Sequence, residues 1–461
     1  VYDLVKLFSE RFAVLLPLLD LLNHKPGAQV EWQARSAFVG LQILETYKSG
    51  QELCNNYGPR DNEGLLMAYG FTIQNNPFDH LVISLRVPPG SPLEIARSWK
   101  PDWRSDPEKR CFLFDYRHPE STDAVAIEVS IFSFDLLDSI SVLSANEREL
   151  QAMFARKQTL MSYSLSDQPK FQDGRLILAT LSQLLRECSV RVERLAASDP
   201  ARMNPATKPQ NAKQQNAKVY RDSQLDIVET AVAVCTFVLR SATIESTKYE
   251  VLDGLRGKFS SSAYQNLQEL VKRHRRLTRP FELLSPDAML EMLSTELSES
   301  LRKFLSDMES NRQPNNDATT RGPTTLCDKS RLALMLSALY SEYTHGVKLP
   351  QRITEWIEQL TEWYPLDPET WAYVPTSGPW APGEEPPTEL VDLLSVGAAM
   401  SPVLAESSFK RWLRPERICW GWNIMEEEKV LIPQSVLASS NEEGEGNQED
   451  ANAVFIYWQQ Y

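Results

Sequence analysis

The chain has 461 residues, 42% of them hydrophobic and 24% charged, and its 62 acidic against 48 basic side chains give a net charge of −14. That size and composition describe a globular chain of about two or three domains and exclude a disordered or fibrous one. The negative balance excludes a constitutive nucleic-acid binder, whose affinity comes from Lys and Arg displacing phosphate counterions. No uninterrupted apolar run approaches the roughly eighteen residues of a membrane span.

Six cysteines, Cys54, Cys111, Cys188, Cys235, Cys327 and Cys419, are scattered without a CxxC pair or histidines at zinc spacing. They read as reduced thiols of an intracellular protein, in nucleus or cytoplasm. The five histidines include no HxxxH pair, so no metal centre is expected.

In chain order, the apolar run "PLLDLLNH" at 17–24 ends in a bare Asn-His pair. "VEWQARSAFVGLQILETYKSGQELCNNYG" alternates β-branched and aromatic residues around a polar "KSGQ" turn and predicts paired strands. "NEGLLMAYGF" predicts one short helix with Asp61 or Asn62 as N-cap and Gly70 as its stop. "NNPFDHLVISLRVPPG" leads out through another strand.

From about 140 the pattern turns helical. In "DGRLILATLSQLLRECSVRVERLAA", Ile177, Leu181, Leu184, Leu185, Cys188, Val192 and Leu195 fall on one helix face. "VYRDSQLDIVETAVAVCTFVLRSA" predicts a second helix. "SPDAMLEMLSTELSESLRKFLSDM" predicts a third, with Ser285 as cap and Pro286 in the first turn. "CDKSRLALMLSALYSEY" and "PQRITEWIEQLTEWYP" continue the series, Trp356 and Trp363 lying at helical spacing as core residues. Polar segments near 198–218 and 309–325 read as disordered inserts. The Pro-rich run 365–387 reads as an ordered wrap around Trp371 and Trp380. The acidic tail is solvated, with "AVFIYWQQY" able to return to the core. The basic cluster "VKRHRRLTRP" at 271–280 reads as a solvated helix face.

Taken together and in order, "PLLDLLNH" and "SGQELCNNYGPRDNEGLLMAYGF" resemble the C-terminal half of a SET domain, of the kind found in the Rubisco large-subunit lysine methyltransferase family. That family carries a D-hydrophobic-hydrophobic-N-H segment, a GEEL strand, an NYGP turn followed by NE, and a closing YGF. "YRDSQLDIVETAVAV" is similar to a helix of the family's substrate-binding domain. The resemblance is dense over 17–85 and loose beyond. The family's Gly-x-Gly cofactor loop has no counterpart in a suitable place, so that half of the domain is expected to precede residue 1.

The resemblance implies an α+β fold. Residues 1–90 would be the C-terminal part of a SET catalytic domain and 91–365 a mainly helical substrate-binding domain, with 366–461 a Pro-rich segment and acidic tail. It implies methyl transfer from S-adenosylmethionine (AdoMet) to a lysine of a protein substrate, by a monomer without nucleic-acid or membrane partners. The alternatives are a noncatalytic interaction module, or histidine as the methylated residue. By resemblance, Asn23 and His24 hold the adenosyl end of AdoMet. Tyr57 is the catalytic tyrosine and also borders the cofactor, while Tyr69 and Phe71 line the lysine channel. Asn62 and Glu63 match the family's pair after the turn, where helix capping explains them equally well.

Overall fold

The alternating runs VEWQAR and FVGLQI form the antiparallel pair β1 (Val30–Arg35) and β2 (Phe38–Ile43), with Val30 opposite Ile43 and Arg35 opposite Phe38. The structure is a computed structural model and describes residues 15–35, 38–99, 111–124, 126–160, 174–200, 208–243, 246–274, 281–310, 326–366, 387–403, 414–438 and 452–458. Both strands finish before the KSGQ turn, which forms downstream of the hairpin with the Gln51 N–H donating to the Lys48 carbonyl at 3.0 Å.

The short helix is α1 (Asn62–Tyr69). Asp61 caps it by accepting the Gly64 N–H at 3.3 Å. Gly70 stops it at φ +78°, a left-handed conformation that costs a residue without a side chain little. Its N–H donates to the carbonyls of Leu65 and Leu66 at 3.1 and 3.0 Å.

The chain divides by its contacts into two units, Val1–Asp79 with Lys208–Ser223, and His80–Thr207 with Gln224–Tyr461. The sequence reading set boundaries at 90 and 365 instead. In the first unit, the buried side chains among the described residues are two apolar ones, Ala28 and Leu65, and four polar ones, Asn55, Asn62, Asn76 and Asp79. Directional bonds therefore organise it more than apolar burial does. The Asp79 carboxylate accepts from the Asn62 N–H and Nδ2, each at 2.6 Å, and from the Ser223 hydroxyl. The Asn62 side chain also accepts the Ile73 N–H at 2.7 Å and donates to the Ile73 carbonyl at 2.9 Å.

One expectation is corrected here. Of the segment near 198–218 read as a disordered insert, residues 212–218 are helical, the start of a helix spanning Ala212–Thr243. The Asn211 side chain accepts the Gln214 N–H at 3.0 Å, and the Gln214 side chain accepts the Gln210 N–H at 2.7 Å, so orphan donors of the first turn are satisfied. Low hydrophobicity did not matter because the helix uses a polar face. Residues 201–207, most of the 309–325 segment, and Trp371 and Trp380 lie outside the described residues.

In the second unit, β3 (His80–Val82) pairs antiparallel with β4 (Phe112–Phe114). Helices follow: α2 (Phe134–Ser144), α3 (Glu147–Arg156), α4 (Gly174–Ala197) and, from Gln224 on, α5 (Ala212–Thr243). On α4 the predicted face is buried at Leu181, Leu184, Leu185 and Cys188, joined by Leu178. These elements and the inner part of α5 share one apolar cluster. The sequence 286–308, expected as one helix, is two, Pro286–Glu291 and Thr295–Ser310, and Ser285 and Pro286 open the first as predicted.

The second cluster gathers around α6 (Asp328–Thr344) and α7 (Pro415–Glu428) and includes Trp356, with Trp363 packed on its edge. β5 (Glu282–Leu284) and β6 (Lys429–Pro433) flank β7 (Asn452–Trp458) in an antiparallel sheet. The view of 366–461 as a Pro-rich segment and acidic tail is thus corrected for α7 and β6, which are core because their clustered or alternating apolar residues bury against α6 and α4, while β7 returns to the core as its apolar run allowed. Helices dominate and the sheets are small, in keeping with the expected α+β class.

Two substitutions probe these units. A methyl group at Gly421 would fall on the Ala333 carbonyl oxygen and the Ser337 hydroxyl where α7 crosses α6. Gly421→Ala should cost about 1–3 kcal/mol by chemical denaturation. Asn62→Ala takes one of three donors from the buried Asp79 carboxylate and releases both bonds to Ile73, and should cost about 1–3 kcal/mol, lowering the first unit's unfolding midpoint.

Candidate active site

The Asn-His pair is pinned to the NNYG turn through the backbone. Asn55 N–H donates to the Asn23 carbonyl at 2.8 Å and Lys25 N–H donates to the Asn55 carbonyl at 3.0 Å, making a parallel bridge of His24 with Asn55. Two residues on, Tyr57 grips the same segment at both ends. Its N–H donates to His24 Nδ1 at 3.0 Å, and its hydroxyl donates to the Leu22 carbonyl at 2.7 Å. The turn then reverses at Gly58, where φ is +90° and the N–H donates to the Asn56 side chain at 3.0 Å.

This places the His24 and Tyr57 rings in a stack, 5.0 Å between centroids at 17°. Tyr69, at the end of α1, lies 4.8 Å from Tyr57, and Phe71 lies 6.2 Å from Tyr69 and 6.5 Å from His24. The four rings form a closed quartet in which each has two aromatic neighbours. Tyr69 is 48% exposed and forms its open side.

Four of the five residues singled out from the sequence are thus together, and the fifth is not. The Asn23 side chain turns to the surface, where Nδ2 donates to Glu52 at 2.6 Å, and only the Asn23 carbonyl serves the bridge. Asn62 caps nothing with its side chain and instead joins the Ile73 and Asp79 network. Sequence reasoning missed Asn55 and Leu22, which hold the pair and the phenol through main-chain groups. The Asn-rich strings CNNYG and NNPFD were the available signal, since asparagine in such density satisfies backbone turns.

Because His24 Nδ1 accepts a hydrogen bond, the ring proton of the neutral form sits on Nε2, which is buried without a hydrogen-bond partner among the described residues. Burial lowers the His24 pKa below its ordinary value, the backbone bond involving Asn55 opposes this, and the charge of Arg60 adds to the lowering. The Tyr57 hydroxyl, its proton committed to the Leu22 carbonyl, can act toward other groups only as an acceptor. With π faces around it, the site suits a cationic or strongly polarised group.

Comparison with known proteins bears on this arrangement. The chain is 32% identical over 231 residues to the ribosomal lysine N-methyltransferase set10 of Schizosaccharomyces pombe, covering 49% of this chain and 38% of that protein. It is 39% identical over 75 residues to the ribosomal lysine N-methyltransferase 1 of Saccharomyces cerevisiae, covering 16% and 13%. The chain is similar to lysine N-methyltransferases. A third relative, SET domain-containing protein 4 of Homo sapiens, is 35% identical over 75 residues, covering 16% of this chain and 17% of that protein. The chain therefore spans well under half the length of these curated relatives. No protein-family model matches it. Among the described residues, no helix is long and apolar enough to cross a membrane, and no group of three or more His, Cys, Asp or Glu could hold a metal ion.

The His24 geometry predicts a pH dependence. The fold accepts the neutral ring, so the contribution of His24 is complete above the ordinary value of 6.5 and is lost as the pH falls through its lower folded value. The urea midpoint should therefore fall on acidification more steeply in the wild type than in His24→Leu. Identical slopes would show that His24 contributes no such dependence.

Proposed function

We propose that this chain carries part of a SET-type protein-lysine N-methyltransferase site, allied to the Rubisco large-subunit lysine methyltransferase family, with AdoMet as methyl donor. The observation that carries this reading is the closed quartet of His24, Tyr57, Tyr69 and Phe71, built from the segments that resemble the family's motifs. The similarity to lysine N-methyltransferases supports it.

AdoMet, when bound, supplies an electrophilic methyl on a positively charged sulfur. The residues present fit such a group: the orphaned Nε2–H of His24 offers a buried donor, and the ring faces favour positive charge. In this reading the 22–24 segment, with Asn23 acting through its main chain, holds the adenosyl end. Tyr57, fixed by its bond to the Leu22 carbonyl, aligns the nucleophile through its hydroxyl oxygen. Tyr69 and Phe71 take the aliphatic stem of the lysine and attract its ammonium end. A lysine amine has an ordinary pKa of about 10.4, and apolar walls beside a positive centre favour loss of its proton to solvent before attack.

The mainly helical second unit is assigned to docking the protein substrate. Similarity to two ribosomal lysine N-methyltransferases makes a ribosomal protein the first substrate to assay.

The test uses the full-length protein and labelled AdoMet. Tyr57→Phe should lose most methyl transfer, by about 10²-fold or more, with its circular dichroism unchanged. Mass spectrometry of the product should find the label on lysine. Full turnover by a folded Tyr57→Phe protein would remove Tyr57 from the site.

A further inference from the structure

We infer that Asn216 is a positioning residue for the Tyr69–Phe71 wall, clasping the Gly70–Phe71 peptide between the two rings. The inference rests on the site reading above and extends it to a residue far along the chain.

The first turns of α5 belong to the same unit as the site. Between 211 and 218 every side chain is exposed except Asn216, which is half-buried. Its Nδ2 donates to the Gly70 carbonyl at 2.9 Å and its Oδ1 accepts the Thr72 hydroxyl at 3.2 Å. Four residues on, the Tyr220 hydroxyl donates to Glu63 at 3.1 Å, and three further on Ser223 donates to Asp79. Residues 216, 220 and 223 lie on one helix face, so a polar stripe reads the segment 63–79 at three heights.

Of these three anchors only Asn216 touches the turn that carries the candidate wall. Gly70 sits between Tyr69 and Phe71 with φ +78°, a conformation in which rotation of its peptide would swing the two rings relative to each other. Its N–H is held within α1, and Ile73 beyond it is held by Asn62. The Gly70 carbonyl is held by Asn216. Without that bond the segment 70–72 keeps both ends fixed and loses its middle, which loosens the substrate side of the quartet and leaves the His24–Tyr57 stack in place.

The test has a structural and a kinetic arm, both on the full-length protein. Ala exceeds Asn in helix propensity, so Asn216→Ala retains α5. Hydrogen exchange in this variant should be faster over residues 70–73 and unchanged at Lys25 and Asn55. Asn216→Ala and Asn216→Asp, the latter keeping the shape and acceptor but not the donor, should raise the KM for the protein substrate about five-fold and leave the KM for AdoMet unchanged. Tyr220→Phe, which releases the neighbouring anchor, should lower Tm without moving either KM. Unchanged exchange at 70–73 overturns the clasp. An enzyme that depends on Tyr57 but is indifferent to Asn216→Ala and Asn216→Asp overturns the positioning role alone, whereas full activity of Tyr57→Phe overturns the reading of the site on which that role rests.

Discussion

A buried carboxylate organises the first unit. Asp79 is fully enclosed and accepts from the backbone and side chain of Asn62 at the start of α1 and from Ser223 of α5. Burial pushes its pKa up, while those donated bonds pull it the other way. A unit that hides only Ala28 and Leu65 among its described apolar side chains has little hydrophobic drive to define one arrangement, so the directionality of this network supplies the uniqueness. The start of α1, the turn after it and the first turns of α5 are all referred to a single side chain. The quartet inherits its geometry from that reference, since Tyr69 and Phe71 flank the end of α1.

What the sequence made legible was local. The strand runs 30–35 and 38–43, the cap at Asp61 and the glycine stop at Gly70 follow from signals a few residues wide, whereas the KSGQ turn read within the strand pair lies downstream of it. The meeting of His24 with Tyr57 is a different kind of fact: thirty-three positions separate them, and no periodicity joins them. Only the ordered resemblance of two motifs placed them together. The same resemblance could not say that the Asn23 amide faces Glu52 and leaves its carbonyl to hold Asn55, because a motif records residue types and not the direction of a side chain.

Residues 212–218 read as disordered because they lack apolar residues, yet the helix they begin docks through Asn216, Tyr220 and Ser223. Polar burial of the same kind occurs in the second unit, where Arg175 and Glu149 pair inside the structure, and Arg148 and Tyr364 both donate to Glu428, at 3.0 and 2.5 Å. Composition treats such residues as solvated, whereas partners remote in sequence make them interior. Where burial is apolar, as around Leu181 or Trp356, pattern and structure agree.

The order β5-β7-β6 carries a consequence for biosynthesis. The middle strand, Asn452–Trp458, is translated long after Glu282–Leu284 and after Lys429–Pro433, and it alone hydrogen-bonds to both. Until it emerges from the ribosome, each flanking strand presents an unpaired edge, the kind of surface that invites non-native pairing. Completion of the second unit is therefore delayed to a late moment of synthesis, and nascent chains are exposed to misassembly and chaperone capture from the synthesis of Glu282–Leu284 until Asn452–Trp458 emerges.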